Sequence, residues 1–141
     1  MKEMSEYILE NIMLIDDNSI DLYITSQTIT RNNIGKNVLQ YNDAEAALKF
    51  LVENCKHAWL LPRIILVDIY MPGMSGFEFM SAYDRLPSVL KSFCKVFIVS
   101  SSIDSEDLEK ANRDKNVTAF REKPVSKEFL FAISKSYALP G

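Results

Sequence analysis

Ile64-Ile65-Leu66-Val67-Asp68, continuing through Ile69-Tyr70-Met71-Pro72-Gly73-Met74-Ser75-Gly76, decides how the rest of this 141-residue chain is read. Four consecutive β-favouring apolar residues describe a strand buried on both faces, as in a parallel sheet. A carboxylate appears where the apolar run stops, and Pro72, Gly73 and Gly76 then break the chain into a turn. Asp68 therefore falls at the carboxyl end of a buried strand, the edge of an open α/β sheet where ligands and reactive groups collect. On its own, an aspartate there is more readily a strand-end cap. Its meaning depends on how the other strands end.

Upstream, Met1 to Glu10 reads as a frayed or helical lead-in. Ile12-Met13-Leu14-Ile15 is a short buried strand that stops abruptly at Asp16-Asp17. Asn18 or Ser19 caps a helix whose inward face is read as Ile20, Ile24 and Gln27 or Thr28. That helix gives out near Arg31-Asn32-Asn33, with Gly35 in the following turn. Val38 to Tyr41 is a second strand. Asp43 then caps a helix with an apolar stripe at Ala44, Ala47, Leu48, Leu51 and Val52. Cys55 to Arg63 is a connector, in which His57 is read as solvated and Trp59 as packing.

Downstream, Phe77 to Arg85 reads as a short helix halted before Pro87. Val96 to Val99 is a fourth buried strand, ending in Ser100-Ser101-Ser102. Asp104 caps a helix from Ser105 to about Asn112, whose acidic first turn (Glu106, Asp107) suits the helix dipole. Val117 to Arg121 is a fifth strand followed by Glu122-Lys123-Pro124, and Ser126 caps a last helix to about Tyr137. Strands alternating with crossovers long enough for helices call for a parallel α/β sheet covered on both faces. With no linker, repeat or low-complexity tract, residues 1–141 are read as one domain with its core at about 11–137.

The composition fits: 48% of residues are hydrophobic and 25% charged. A domain of this size buries roughly 70% of its unfolded surface. A net charge of -3 lacks the basic clustering of a nucleic-acid footprint, so no direct DNA binding is expected. Cys55 and Cys94 have no metal-like spacing and read as reduced, buried or half-buried thiols. No apolar run reaches the ~18 residues of a membrane span and no signal-peptide pattern is present, so a cytoplasmic location is expected.

In such a sheet the residues just past each strand share one rim. Here they are Asp16 and Asp17 after the first strand, Asp68 after the third, Ser100 after the fourth and Lys123 after the fifth. Three carboxylates on one rim repel one another unless a cation lies between them. Mg²⁺ takes such oxygens, usually one or two carboxylates directly. A carboxylate can also act as nucleophile and form an aspartyl phosphate. The phosphoryl oxygens then need a cation, an ammonium and a hydroxyl, which Mg²⁺, Lys123 and Ser100 would supply.

With these residues in place the chain resembles the receiver domains of bacterial response regulators. The matching pieces are Asp16-Asp17, Asp68 with Met71-Pro72 and Gly76 behind it, Ser100, and Lys123-Pro124, covering about Ile12 to Tyr137. The resemblance implies a flavodoxin-like (βα)5 three-layer sandwich with strand order 2-1-3-4-5. It implies phosphorylation of Asp68 by a sensor histidine kinase or histidine phosphotransfer protein, in two-component signalling. It also implies Mg²⁺ held by Asp17, Asp68 and the Tyr70 backbone carbonyl, with Asp16 acting mainly through water. Ser100 corresponds to the family's phosphate-sensing hydroxyl and Phe120 to its aromatic switch, a position often occupied by Tyr. Phosphorylation is then expected to draw Ser100 toward Asp68 and let Phe120 turn inward. That rearranges the face from about Asp104 to Tyr137 for a downstream protein target or for self-association. No enzyme activity beyond the domain's own phosphorylation and dephosphorylation is expected, and with the chain ending at Gly141 a stand-alone regulator is expected.

Three other readings fit less well. A flavodoxin-like cofactor binder needs a hydroxyl- and glycine-rich phosphate loop where this chain has Asp16-Asp17. A haloacid-dehalogenase-type phosphatase needs an aspartate where Tyr70 stands. A degenerate receiver kept as a scaffold would not retain the whole acidic set.

Overall fold

The computed structural model describes residues 7–102 and 104–140. Strands β1 (Leu9–Ile15), β2 (Gly35–Tyr41), β3 (Ile64–Asp68), β4 (Lys95–Ser100) and β5 (Val117–Glu122) form one parallel sheet in the order β2-β1-β3-β4-β5. Among the described residues six α-helices accompany them: α1 (Ser19–Arg31), α2 (Ala44–Glu53), α3 (Gly76–Tyr83), α4 (Ser88–Phe93), α5 (Ser105–Arg113) and α6 (Lys127–Ser136). None is long and apolar enough to cross a membrane.

All five residues of the central strand β3 are buried, because helices cover both faces of the sheet and leave neither for polar side chains. On the α1/α6 face, Ile12, Leu14, Ile64, Leu66 and Phe97 meet Leu22, Ile29, Leu130 and Ile133. On the α2–α5 face, Ile15, Ile65, Val67 and Ile98 meet Ala47, Leu51, Phe79, Leu90 and Ala111. Helix starts follow the expected chemistry. Asn18, Asp43, Ser75, Asp104 and Ser126 each cap one, and Ser75 forms a reciprocal capping box with Glu78.

Several local expectations are corrected. β1 begins at Leu9, whose N–H donates to Ile34 O at 2.9 Å, so Leu9 and Glu10 belong to the strand and not to a lead-in. Met1 to Glu6 lie outside the described residues. Gly35 opens β2, and the left-handed residue of the preceding turn is Asn33, with φ 55°. The glycine marks a close approach: a Cβ there would sit 2.8 Å from Ile12 Cδ1.

Helix α1 is rotated from its expected phase. Its buried residues are Leu22, Ser26 and Ile29, while Ile20 and Ile24 are 67% and 54% exposed. In α2 the stripe holds at Ala44, Ala47 and Leu51, but Val52 points out. Trp59 is 67% exposed in a short 3₁₀ turn, its ring against His57 instead of the core. Helix α4 was not expected. At six residues it is too short to display a period, and it is anchored by the buried Leu90 with Phe93 packed against the same core.

Candidate functional site

β1 and β3 run in register from Ile12↔Ile64 to Ile15↔Val67, so Asp16 emerges beside Asp68 as both strands end. Oxygens of Asp16, Asp17 and Asp68 all lie within 4.8 Å of one another. Asp16 and Asp68 are each only 6% exposed, whereas Asp17 is open to solvent. Two bonds aim the Asp16 carboxylate. Its Oδ1 accepts the Asn18 N–H at 2.9 Å and its Oδ2 accepts from Lys123 Nζ at 2.6 Å.

Lys123 reaches this rim because β5 ends beside β4. Ser100 pairs with Glu122, and the Lys123 N–H donates to Ser100 O at 2.7 Å, ahead of a cis Lys123–Pro124 peptide. The ammonium meets three carboxylates, at 2.6 Å from Asp16 Oδ2, 2.9 Å from Asp21 Oδ2 and 3.3 Å from Asp68 Oδ1. Asp21 was missed by sequence reasoning. Its signal was available, since an acidic residue in the first turn of a helix that follows Asp16-Asp17 faces the same rim.

Burial pushes the Asp68 carboxyl up to about 6. The Lys123 charge opposes this, and the charges of Asp16 and Asp17 add to it. Burial by itself would lower the Lys123 pKa, but the hydrogen bonds to Asp16 and Asp21 and the Asp68 charge hold it above the ordinary lysine value. At neutral pH the site therefore contains an ionised, largely buried carboxylate beside a fixed ammonium.

The loop after Asp68 is shaped by Gly76, whose N–H donates to Ile69 O at 2.7 Å. A Cβ at Gly76 would collide with the Asp68 carbonyl and sit 2.9 Å from Ile69 Cα, so any side chain there would push the loop off the strand end. Tyr70, expected to offer a backbone carbonyl to a metal, sends its side chain elsewhere. Its hydroxyl donates to Asp107 Oδ2 of α5, and that bond pushes its pKa up to about 12.

Ser100 ends β4 fully buried, and its Oγ accepts the Ser102 N–H at 3.4 Å. Ser101 instead lines a cavity of about 230 Å³ with Asp16, Asp21, Lys123 and the apolar Leu14, Leu66 and Val99. Phe120 is 7% exposed and packed in the α2–α5 core layer. The inward position expected to follow phosphorylation is thus the one its ring holds here, because a ring without a hydroxyl has no bond to make outside. A register irregularity assists. Val96 pairs with Val117 and Phe97 with Ala119, leaving Thr118 extra, so Val117 and Phe120 pack on the same side although three residues apart.

The donor set is all oxygen and the cluster is partly open, which fits a hard divalent cation such as Mg²⁺ and not a thiolate- or imidazole-seeking metal.

The model of the response regulator receiver domain matches residues 12–135. Similar solved structures include a two-component response regulator from Cytophaga hutchinsonii, at 26% identity and a TM-score of 0.83 over 91% of this chain and 96% of that one. A response regulator receiver protein from Dyadobacter fermentans is similar at 26% identity and a TM-score of 0.82, over 92% of this chain and 97% of that one. A curated relative, the probable methanogenesis regulatory protein FilR2 of Methanothrix harundinacea, is 27% identical over 119 residues, covering 84% of this chain and 75% of that protein.

Proposed function

This chain belongs to the response regulator receiver domain family, and from that premise we propose that Asp68 is its phosphoacceptor, charged from a phosphohistidine of a sensor kinase or histidine phosphotransfer protein in a Mg²⁺-dependent reaction. The observation that carries the reading is the convergence of Asp16, Asp17 and Asp68 within 4.8 Å, with Lys123 3.3 Å from Asp68. Asp17 and Asp68, with Asp16 through water and the Tyr70 carbonyl as the resemblance implies, would hold the ion, which offsets carboxylate and phosphoryl charge.

An Asp68 carboxylate oxygen attacks phosphorus as the P–N bond to the donor imidazole breaks, leaving an acyl phosphate on Asp68 and the freed imidazole on the donor. Lys123 then pairs with a phosphoryl oxygen and the Ser100 hydroxyl donates to another. The domain acts only on its own phosphorylation state and turns over no external substrate.

The donor must bring its imidazole to the rim, so its surface covers the adjoining end of α1. Ile20, Tyr23 and Ile24 are exposed there, an apolar patch suited to a protein partner. Output runs from Ser100 and the loop after Asp68 to the face formed by α5, β5 and α6, for docking of a protein target or self-association. In this role the protein works in the cytoplasm and touches neither DNA nor membrane itself.

Incubation with acetyl phosphate and Mg²⁺ tests the reading by mass. The wild type should gain one phosphoryl group, and Asp68→Asn should gain none. Full labelling of Asp68→Asn would move the acceptor elsewhere.

A further inference from the structure

The three carboxylates around Lys123 are not equivalent. Asp16 and Asp68 belong to the cluster that would receive the metal, with oxygens within 4.8 Å of each other and of Asp17. Asp21 is outside that cluster. It stands in the first turn of α1, its N–H bonded at 3.1 Å to the Asn18 cap, and its Oδ2 accepts from Lys123 Nζ at 2.9 Å. The ammonium lies at 2.6 Å from Asp16 and 2.9 Å from Asp21, and at the longer 3.3 Å from Asp68.

When a cation engages Asp16 and Asp68, its charge competes with the ammonium for both. Asp21 alone keeps an undivided hold on Lys123. The helix start also suits an aspartate, because the dipole and the Asn18 cap favour negative charge there. With side chains of Lys123 and Asp21 only 14% and 36% exposed, the pair is shielded from bulk water and is screened less than a surface pair.

We propose that Asp21 is a positioning residue for the phosphoryl reaction: it holds the Lys123 ammonium toward α1, and Lys123 moves against that hold when it bonds the phosphoryl group. The inference rests on Asp68 being the phosphoacceptor. It assigns Asp21 no contact with the metal or the reacting atoms. Asp21 opposes the phosphorylated state, because an ammonium drawn toward Asp21 on α1 is drawn away from a phosphoryl group on Asp68. A group that contacts Lys123 in only one state shifts the balance between the two by that difference.

Beryllofluoride binding at saturating Mg²⁺, followed calorimetrically, tests this. Asp21→Asn should bind several-fold more tightly than wild type, and Asp21→Glu, which keeps a carboxylate within reach of Nζ, should stay near the wild-type value. Unchanged affinity in Asp21→Asn, or equal tightening in both variants, would overturn the proposal. The rate of acetyl phosphate labelling supplies a double-mutant cycle. In a Lys123→Gln background, Asp21→Asn should lose its effect, whereas a through-space charge effect would survive and count against a role exerted through Lys123. A Lys123→Gln protein that does not label leaves the decision to the Asn and Glu titrations. If the wild type itself neither binds beryllofluoride nor labels, it is the phosphoacceptor reading that fails.

Discussion

Helices α1 and α5 each bond the neighbourhood of the rim through an aspartate, Asp21 to Lys123 and Asp107 to Tyr70 in the loop after Asp68, yet they are held in opposite ways. α1 buries Leu22 and Ile29 in the sheet and sends Asp21 to Lys123. α5 buries only Ala111 among its apolar residues, leaves Leu108 40% exposed, and is tied by polar contacts. Asp107 accepts the Tyr70 hydroxyl, and Lys110 Nζ lies 5.3 Å from the Phe77 ring centroid. Buried apolar area is non-directional and hard to exchange, whereas hydrogen bonds to a loop are exchanged when that loop moves. α1 is therefore the more firmly packed of the two helices and α5 the more loosely held. The loop that holds α5 starts at Asp68 itself.

The largest expected effect would break that contrast if it failed. Ile29→Ala should destabilise the protein by about 2–4 kcal/mol in urea unfolding, the usual range for a cavity in a closed core. Leu108→Ala in α5 should stay within about 1 kcal/mol of wild type. Equal losses would mean that α5 is as firmly packed as α1. Next comes the ion. Mg²⁺ at a hundred times its Kd should stabilise the fold by about 2.7 kcal/mol, reversibly on chelation. Asp17→Ala should weaken Mg²⁺ binding on the order of tenfold, about 1.4 kcal/mol, because Asp17 is the carboxylate of the three not tied to Lys123. Unchanged affinity would place the ion elsewhere.

A smaller effect concerns the charge at the rim. The Asp68 pKa is raised from 3.8 to about 6, so the folded state binds this proton more tightly than the unfolded chain does. Stability therefore falls as pH rises through about 4 to 6, and above that window the whole penalty of burying the charge is present. Without metal, Asp68→Asn should be more stable than wild type by about 1–2 kcal/mol at pH 8, with Lys123 losing a partner as the offset. The advantage should vanish below about pH 4. A difference independent of pH would show that the Asp68 charge is not its origin. The smallest change is Tyr70→Phe, which removes one hydroxyl and one bond to α5. Amide exchange in α5 should quicken several-fold while α1 keeps its wild-type rates. Equal acceleration in both helices would dissolve the distinction between them.

Much of this was legible in the sequence because it is short-range. The buried run at Ile64–Val67 and the acidic or basic residue that ends each strand are local patterns. So are the caps at Asp43, Asp104 and Ser126. Asp16, Asp17, Asp68 and Lys123 could be assigned to one rim as soon as a parallel sheet was inferred, since all parallel strands end on the same side. Helix α4 escaped because six residues show no period, and Gly35 was misplaced because close approach and turn look alike in sequence.

By itself the sequence determined a parallel sheet covered by helices and which residue types meet at its carboxyl rim. Only the tertiary structure decided phase and register. Burying Ile20 and Ile24 would have satisfied local hydrophobicity, but it would turn Asp21 away from Lys123 and Ile29 out of the core. The extra residue Thr118 places Phe120 inward, and the pairing of Tyr70 with Asp107 joins residues 37 positions apart. Such choices rest on contacts between distant parts of the chain, whose energies no window of local sequence contains.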